Sequence, residues 1–149
     1  MCEALKEAQK AFEEDEVPIG AVAVYKNQII GRGHNRIEHL QDSTAHAEIL
    51  AITAAANALN TWRLNDVILY ATIEPCIMCA GALVLARIKK IVFGARDKKF
   101  GGCGSIFNIV QEKRLNHQLE VIEGVLKDEA LAMIKKFFAK MRKKTSKHE

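Results

Sequence analysis

Two short stretches hold residue types that can do chemistry together: Thr44-Ala45-His46-Ala47-Glu48 and Glu74-Pro75-Cys76-Ile77-Met78-Cys79. Cys76 and Cys79 are three apart at a predicted helix start, so their sulfurs share one face and can share a metal ion. A helix N-terminus favours negative charge and lowers thiol pKa values, which supplies the thiolates that zinc binds. His46 also stands at a predicted helix start. Two helix starts facing each other would therefore offer one imidazole and two thiolates. A fourth ligand is not obvious. His34 and His39 precede the loop, His117 is near the last predicted strand, and Cys2 and Cys103 lack a paired spacing. Structural zinc is closed by four protein ligands, whereas catalytic zinc keeps a position for water. Three ligands predict an open site.

Glu48 is two residues from His46, which on a regular helix sets them about 200° apart. They converge only if the metal lies beyond the helix end, toward which helical side chains tilt. A carboxylate there can take a proton from activated water and return it to a leaving group. The plainer role for Glu48 is a first-turn acid facing the helix dipole. Cys-x-x-Cys alone also suits a redox pair or a closed zinc site. Joined to His46-Ala47-Glu48, it points to catalytic zinc.

Several elements must position these residues. Leu5, Ala8, Ala11 and Phe12 recur at helical spacing, which predicts a helix over 2–14 that stops before Val17-Pro18. Residues 19–25 and 28–34 read as a hairpin turning at Lys26-Asn27, followed by a polar loop from Asn35 to Thr44 and an Ala-rich helix over 45–58. A buried strand over 66–72 leads to a helix opened by Pro75 and ending near Arg87. Then come a strand over 90–96, a Gly-rich loop, a helical turn near 106–110, a strand over 119–125 and a helix over 127–143. That last helix carries Ala130, Ile134, Phe137, Phe138 and Met141 on one stripe. A hairpin followed by strands alternating with helices predicts an α/β sandwich on a mixed sheet.

The 149 residues are 49% apolar and 27% charged, which fits one domain spanning 1–149 and excludes disorder, collagen and coiled coil. No apolar run approaches the roughly 20 residues of a membrane span, and the N-terminus lacks a signal-type apolar region, so the expected location is cytoplasmic. Charge is uneven. Residues 135–149 hold seven basic residues against Glu149, a net +6, and the rest of the chain sums to −2. Such a tail is either a solvated helix face or a contact for a polyanion such as nucleic acid.

His46-Ala47-Glu48 with Pro75-Cys76-Ile77-Met78-Cys79 resembles the signature of the zinc-dependent cytidine/deoxycytidylate deaminases. Further text narrows the resemblance to the bacterial tRNA-specific adenosine deaminases: Glu16-Val-Pro-Ile-Gly-Ala-Val, His34-Asn35-Arg36, Asp42-Ser-Thr-Ala-His-Ala-Glu48, Gly94-Ala-Arg-Asp97, Leu115-Asn-His117 and Phe137-Phe138. These segments span nearly the whole chain in family order. The resemblance implies a three-layer α/β/α fold on a mixed sheet of about five strands. It implies one zinc ion per subunit on His46, Cys76 and Cys79, with no organic cofactor, and Glu48 as proton shuttle. The reaction would be hydrolytic conversion of adenosine to inosine, with release of ammonia, at the wobble position of a tRNA anticodon loop.

The resemblance also places substrate contacts at Asn35, Ala47, Asp97 and Phe138. Asn35 would hydrogen-bond the purine, although an Asx turn would also explain it. Asp97 would lie near the flanking nucleotides, or simply cap its loop. Phe137 or Phe138 would lie near the target base, against the plainer reading of either as core. Cys103 reads as a spectator thiol. The basic C-terminal helix would contact phosphates of the anticodon stem-loop, and the family implies a homodimer. Ala80-Gly-Ala-Leu-Val-Leu85 suits either a core or such an interface. The competing functions are a deaminase of a free base or nucleotide, of guanine or cytosine type, and a non-catalytic RNA-binding module with zinc. The basic tail and Asn35 argue against the first, and Glu48 argues against the second.

Overall fold

Lys26 and Asn27 reverse the chain with φ of 49° and 62°. Positive φ at both central residues gives the two-residue hairpin turn whose twist matches the flanking strands. The turn joins β1 (Gly20–Tyr25) to β2 (Gln28–His34). In this computed structural model, which describes residues 1–147, the hairpin forms one end of a five-stranded sheet. The other strands are β3 (Ile68–Ile73), β4 (Lys90–Ala95) and β5 (Glu120–Ile122), and the order is β2-β1-β3-β4-β5. β1 pairs antiparallel with β2 and β3, while β3–β4 and β4–β5 are parallel. A parallel pair requires a crossover, and α4 (Ile77–Leu85) lies within the one joining β3 to β4.

Helices cover both faces. α1 (Cys2–Glu13) and α5 (Lys127–Thr145) pack on one side, and α3 (Ala47–Leu59) packs with α4 on the other. The larger core lies under α3 and α4, where Ala47, Ala51 and Ala55 meet Ala21 and Ala23 of β1. Leu69, Leu83, Ile91 and Phe93 complete its centre. Small residues let α3 sit close to the sheet. On the other side, Ala4, Ala8 and Ala11 bury one stripe of α1, and Phe12 meets Phe137 edge to face at 6.1 Å. Asp15 accepts hydrogen bonds from Lys140 at 2.6 Å and Lys144 at 2.5 Å, which hold its carboxyl down at about 2.

Some expectations shift at the edges. The polar loop contains a single helical turn, α2 (Ile37–Leu40), ended by Gln41 in the left-handed region at φ 48°. Pro75 does not occupy the first turn of α4: Cys76 is the N-cap, so the proline precedes it and straightens the approach. The last strand pairs over three residues, because Gly124 and Leu126 take positive φ and turn the chain into α5. The helical turn falls at Ile109–Gln111 and leaves Ile106 and Phe107 exposed. On α5 the buried stripe is narrower than expected: Phe137 is 4% exposed and Phe138 is 45% exposed.

The closeness of α3 to β2 is testable. A Cβ on Gly33 would stand 2.2 Å from the Ala47 carbonyl oxygen and 2.8 Å from the Ala51 nitrogen, both backbone atoms. Gly33→Ala should therefore push α3 off the sheet and lower stability by about 3 kcal/mol, the upper range for overpacking. The urea unfolding midpoint checks this, and an unchanged midpoint would contradict the packing described.

Candidate active site

His46 and Cys76 are not helical residues but N-caps, of α3 and α4 respectively, with extended backbone at ψ 151° and 174°. An N-cap is free of helical spacing. His46 can therefore turn its ring past the end of α3 toward the space that Glu48 reaches from inside the first turn. Cys79 lies in the first turn of α4, above its cap. The two helix starts face each other, and His46 Nδ1 stands 3.6 Å from both the Cys76 and Cys79 sulfurs. The three potential ligand atoms all lie within 4.8 Å of one another. For zinc bound tetrahedrally at about 2.3 Å to sulfur and about 2.0–2.1 Å to nitrogen, the nitrogen and sulfur stand about 3.6 Å apart. The donor set and its spacing fit that ion.

Among the described residues this trio is the group able to hold a metal. The other candidate ligands are engaged elsewhere. His34 pairs with Glu14 at 3.0 Å, His39 with Glu16 at 3.2 Å, and His117 Nε2 meets the Ile88 carbonyl at 2.7 Å. Cys2 is exposed on α1, and Cys103 is buried in the core under α4. Three protein ligands leave a tetrahedral ion one position for water.

Glu48 is 4% exposed, and its Oε2 accepts a hydrogen bond from the Cys79 thiol at 3.3 Å. Burial pushes its pKa up, so the group can hold a proton nearer neutrality than an exposed glutamate. The two thiols share a proton unequally. A hydrogen bond from Cys79, helped by one from His46, outweighs burial and holds Cys76 down at about 4. Cys79, beside the negatively charged Cys76 sulfur and buried against Glu48, is pushed well above the usual thiol range. His46 is pushed up, first by its hydrogen bond to the Cys76 sulfur. Without metal, the Cys76 sulfur thus carries the negative charge and His46 and Glu48 are both biased toward holding a proton. A metal dication would displace the shared protons.

The proposed substrate contacts differ in placement. Asn35 is buried, its Nδ2 donates to the Val17 carbonyl at 3.3 Å, and its Oδ1 has no partner. A buried acceptor without a donor costs stability unless a ligand or water satisfies it. Asn35 is also tied close to His46, because the next residue, Arg36, donates its N–H to the Ala45 carbonyl at 3.0 Å. Ala47 is fully buried in the first turn of α3, next to His46. Asp97 caps its own loop, its Oδ1 accepting the N–H groups of Lys99 at 2.9 Å and Phe100 at 3.2 Å. Phe138 packs against Phe137 at 5.4 Å on α5, its ring half open to solvent.

Two buried acids carry a positioning role that sequence reasoning did not assign. Glu16 accepts the N–H of His39 at 2.8 Å and so anchors α2 beside Asn35. Glu74 accepts N–H and O–H groups from Asp97, Cys103 and Ser105. Each stands just ahead of a proline, but nothing in that pattern announces burial.

The thiol electrostatics predict reactivity. In metal-free protein, alkylation of Cys76 by iodoacetamide should stay nearly flat from pH 5.5 to 8, because a pKa of about 4 leaves it thiolate throughout. Cys79 and Cys103, both pushed up, should react far more slowly. Mass spectrometry of the alkylated peptides checks this, and a Cys76 rate rising tenfold per pH unit would contradict it.

Comparison with known proteins agrees with this geometry. The family model for MafB19-like deaminases matches residues 1–142. The tRNA-specific adenosine deaminase of Bacillus subtilis strain 168 is 56% identical over 144 residues, covering 97% of this chain and 89% of that protein. That of Aquifex aeolicus strain VF5 is 51% identical over 139 residues, covering 93% of this chain and 91% of that protein. A solved structure from work on A-to-I editing by tRNA:A34 deaminases superposes with TM-score 0.84 at 43% identity, covering 87% of this chain and 94% of that one. A guanine deaminase from Nitrosomonas europaea superposes with TM-score 0.79 at 26% identity, covering 93% of this chain and 82% of that one. With paired helix starts presenting one imidazole, two thiols and a buried glutamate, and with relatives this similar over nearly its whole length, the chain belongs to the MafB19-like deaminase family, among the tRNA-specific adenosine deaminases.

Proposed function

We propose that this protein hydrolyses adenosine to inosine at the wobble position of a tRNA anticodon loop, working as one deaminase domain over 1–149. The observation that carries the chemistry is the buried Glu48 carboxyl, its Oε2 at 3.3 Å from Cys79 Sγ, beside the His46-Cys76-Cys79 trio. His46 Nδ1 and the two sulfurs would hold a zinc ion, one per subunit, which when bound would supply the Lewis acidity for water to attack near neutral pH. Glu48 takes the proton of the water that attacks C6 of the base, and delivers it to ring N1. It then carries the proton of the new C6 hydroxyl to the amine, and the C6–N bond breaks as the C6 carbonyl forms, so that adenosine and water become inosine and ammonia. Burial suits Glu48 to this, because a carboxyl with a raised pKa both accepts and returns a proton.

Recognition falls to the surroundings. Asn35 hydrogen-bonds the purine, its unpartnered Oδ1 being the free acceptor. The backbone of Ala47 and the loop of Asp97 border the base and its flanking nucleotides, and Phe138 lies along the bound strand. An anticodon loop base is already partly unstacked, which lowers the cost of extruding it. Lys136, Lys140, Lys143, Lys144 and Lys147 line one groove with Phe12, a surface suited to the phosphates of the stem. A second copy packs on the α3–α4 face, where Trp62 and Leu85 stand exposed beside Ile52 and Ala56. No helix among the described residues is long and apolar enough to cross a membrane, and the substrate sets the working location as the cytoplasm.

The test is turnover by zinc-loaded protein of an anticodon stem-loop carrying wobble adenosine, read by nucleoside mass spectrometry. Free adenosine, guanine and cytidine run in parallel. Inosine should form from the stem-loop, and Glu48→Gln should lower kcat by about 10³-fold, within the range for a lost general acid–base. Turnover of a free base alone would transfer the site to small-molecule deamination. In a separate measurement, Lys143→Ser with Lys147→Ser should weaken stem-loop binding and flatten its log–log salt dependence by about 1 to 2 units. An unchanged slope would remove those lysines from the RNA contact.

A further inference from the structure

Glu74 stands one residue ahead of the Pro75-Cys76 turn, and its side chain is 2% exposed. A buried carboxylate is costly unless donors surround it. Here the donors come from one loop, residues 97–105. Oε1 accepts the Asp97 N–H at 3.1 Å and the Ser105 hydroxyl, while Oε2 accepts the N–H groups of Cys103 at 3.0 Å and Ser105 at 3.2 Å. Arg96, the cation whose charge is felt alongside, is already engaged by Glu123 at 2.7 Å. The loop is therefore folded around the Glu74 carboxyl by hydrogen bonds rather than pinned by an ion pair. The packing demands glycine at 101, where a Cβ would fall 2.3 Å from Glu74 Oε2 and 2.5 Å from the Asp97 carbonyl oxygen.

The same loop is stitched by backbone to the turn that presents Cys76. Gly102 donates its N–H to the Pro75 carbonyl at 2.9 Å, Ile77 donates to the Phe100 carbonyl at 3.0 Å, and Gly101 forms a bridge with Cys76. One side chain thus couples the end of β3, the metal-ligand turn and the loop that carries Asp97.

We propose that Glu74 is a positioning residue for deamination: acting through the 97–105 loop, its carboxylate holds the wall of the site that receives the nucleotides beside the target base. This rests on the RNA-editing reading above, and it assigns Glu74 no proton transfer. The loop presents Asp97 and the exposed Phe100 in a fixed place relative to Cys76, so its ordering is completed before RNA arrives. Releasing it would make RNA binding bear that ordering cost.

The informative variant is Glu74→Gln. It keeps the shape but places an amide NH2 where the carboxylate accepted donors. A second variant, Ser105→Ala, removes one donor and leaves the acid in place. Zinc-loaded enzymes would be compared for zinc content, stem-loop kinetics and amide hydrogen exchange. For Glu74→Gln, KM for the stem-loop should rise about tenfold, the worth of one charge-assisted hydrogen bond, with kcat within about twofold. Exchange should quicken at residues 97–105, and zinc content should stay at the wild-type level. Ser105→Ala should move KM and exchange the same way, by less. Loss of zinc, a fall in kcat at unchanged KM, or unchanged loop exchange would each overturn the proposal. A wild-type enzyme that leaves the stem-loop unmodified would instead overturn the functional reading.

Discussion

α3 rests on β2 with almost nothing between their backbones, and the chemistry depends on that contact. A Cβ at Gly31 or Gly33 would fall 2.3 Å and 2.2 Å from carbonyl oxygens of Ala51 and Ala47. With alanines on the helix and glycines on the strand, the axis of α3 is brought so near the sheet that its N-terminal end is located by hard contact rather than by flexible side chains. His46 is the cap of that end and Glu48 lies in its first turn. On the parallel side, β3 runs into the Pro75-Cys76 turn, and the crossover sets the start of α4 opposite the start of α3. Dense packing of this kind transmits position, since it has no soft mode to absorb error.

Two helix starts meeting in a part-buried space create an electrostatic problem that the ligand set answers. Both helix dipoles favour negative charge there. Cys76 takes it as a thiolate held at about 4, while Glu48, deeper and less solvated, is pushed the other way. Before a metal binds, the site thus holds one anion firmly and keeps a second group able to retain a proton. Around it, Glu16 and Glu74 are buried carboxyls of another kind, satisfied chiefly by hydrogen-bond donors in the loops they hold. Glu48 and the loop-holding acids are chemically identical side chains. Their surroundings assign their roles.

Much of this was legible from residue order because it rests on local rules. The hairpin at Lys26-Asn27, the α1 stripe of Ala8, Ala11 and Phe12, and the alternation of strands with helices follow from period and turn chemistry. The trio His46, Cys76 and Cys79 was visible as ligand types at helix starts, and the misfit between His46 and Glu48 spacing pointed to a meeting place beyond the helix end. Boundaries were less legible. α2 hides in a polar loop without apolar periodicity, and β5 is cut short by the positive φ of Gly124 and Leu126. Phe137 and Phe138 differ by one helical step, and a stripe drawn from sequence could not say which faced Phe12.

The order of residues thus carried the kind of chemistry: which atoms could bind a metal, that a carboxyl stood near them, and that the basic charge gathered at one end. Those are properties of side-chain type and short spacing. The fold settled what depends on residues far apart in the chain, namely burial and orphaned atoms. Glu48 and Asp97 are both acids in polar or helical contexts, yet one is enclosed beside Cys79 and the other caps a loop. Asn35 keeps an acceptor without a partner, and Glu74 gathers donors from a loop more than twenty residues away. Desolvation is a sum over everything packed around a group, and that sum exists only once the chain has closed on itself.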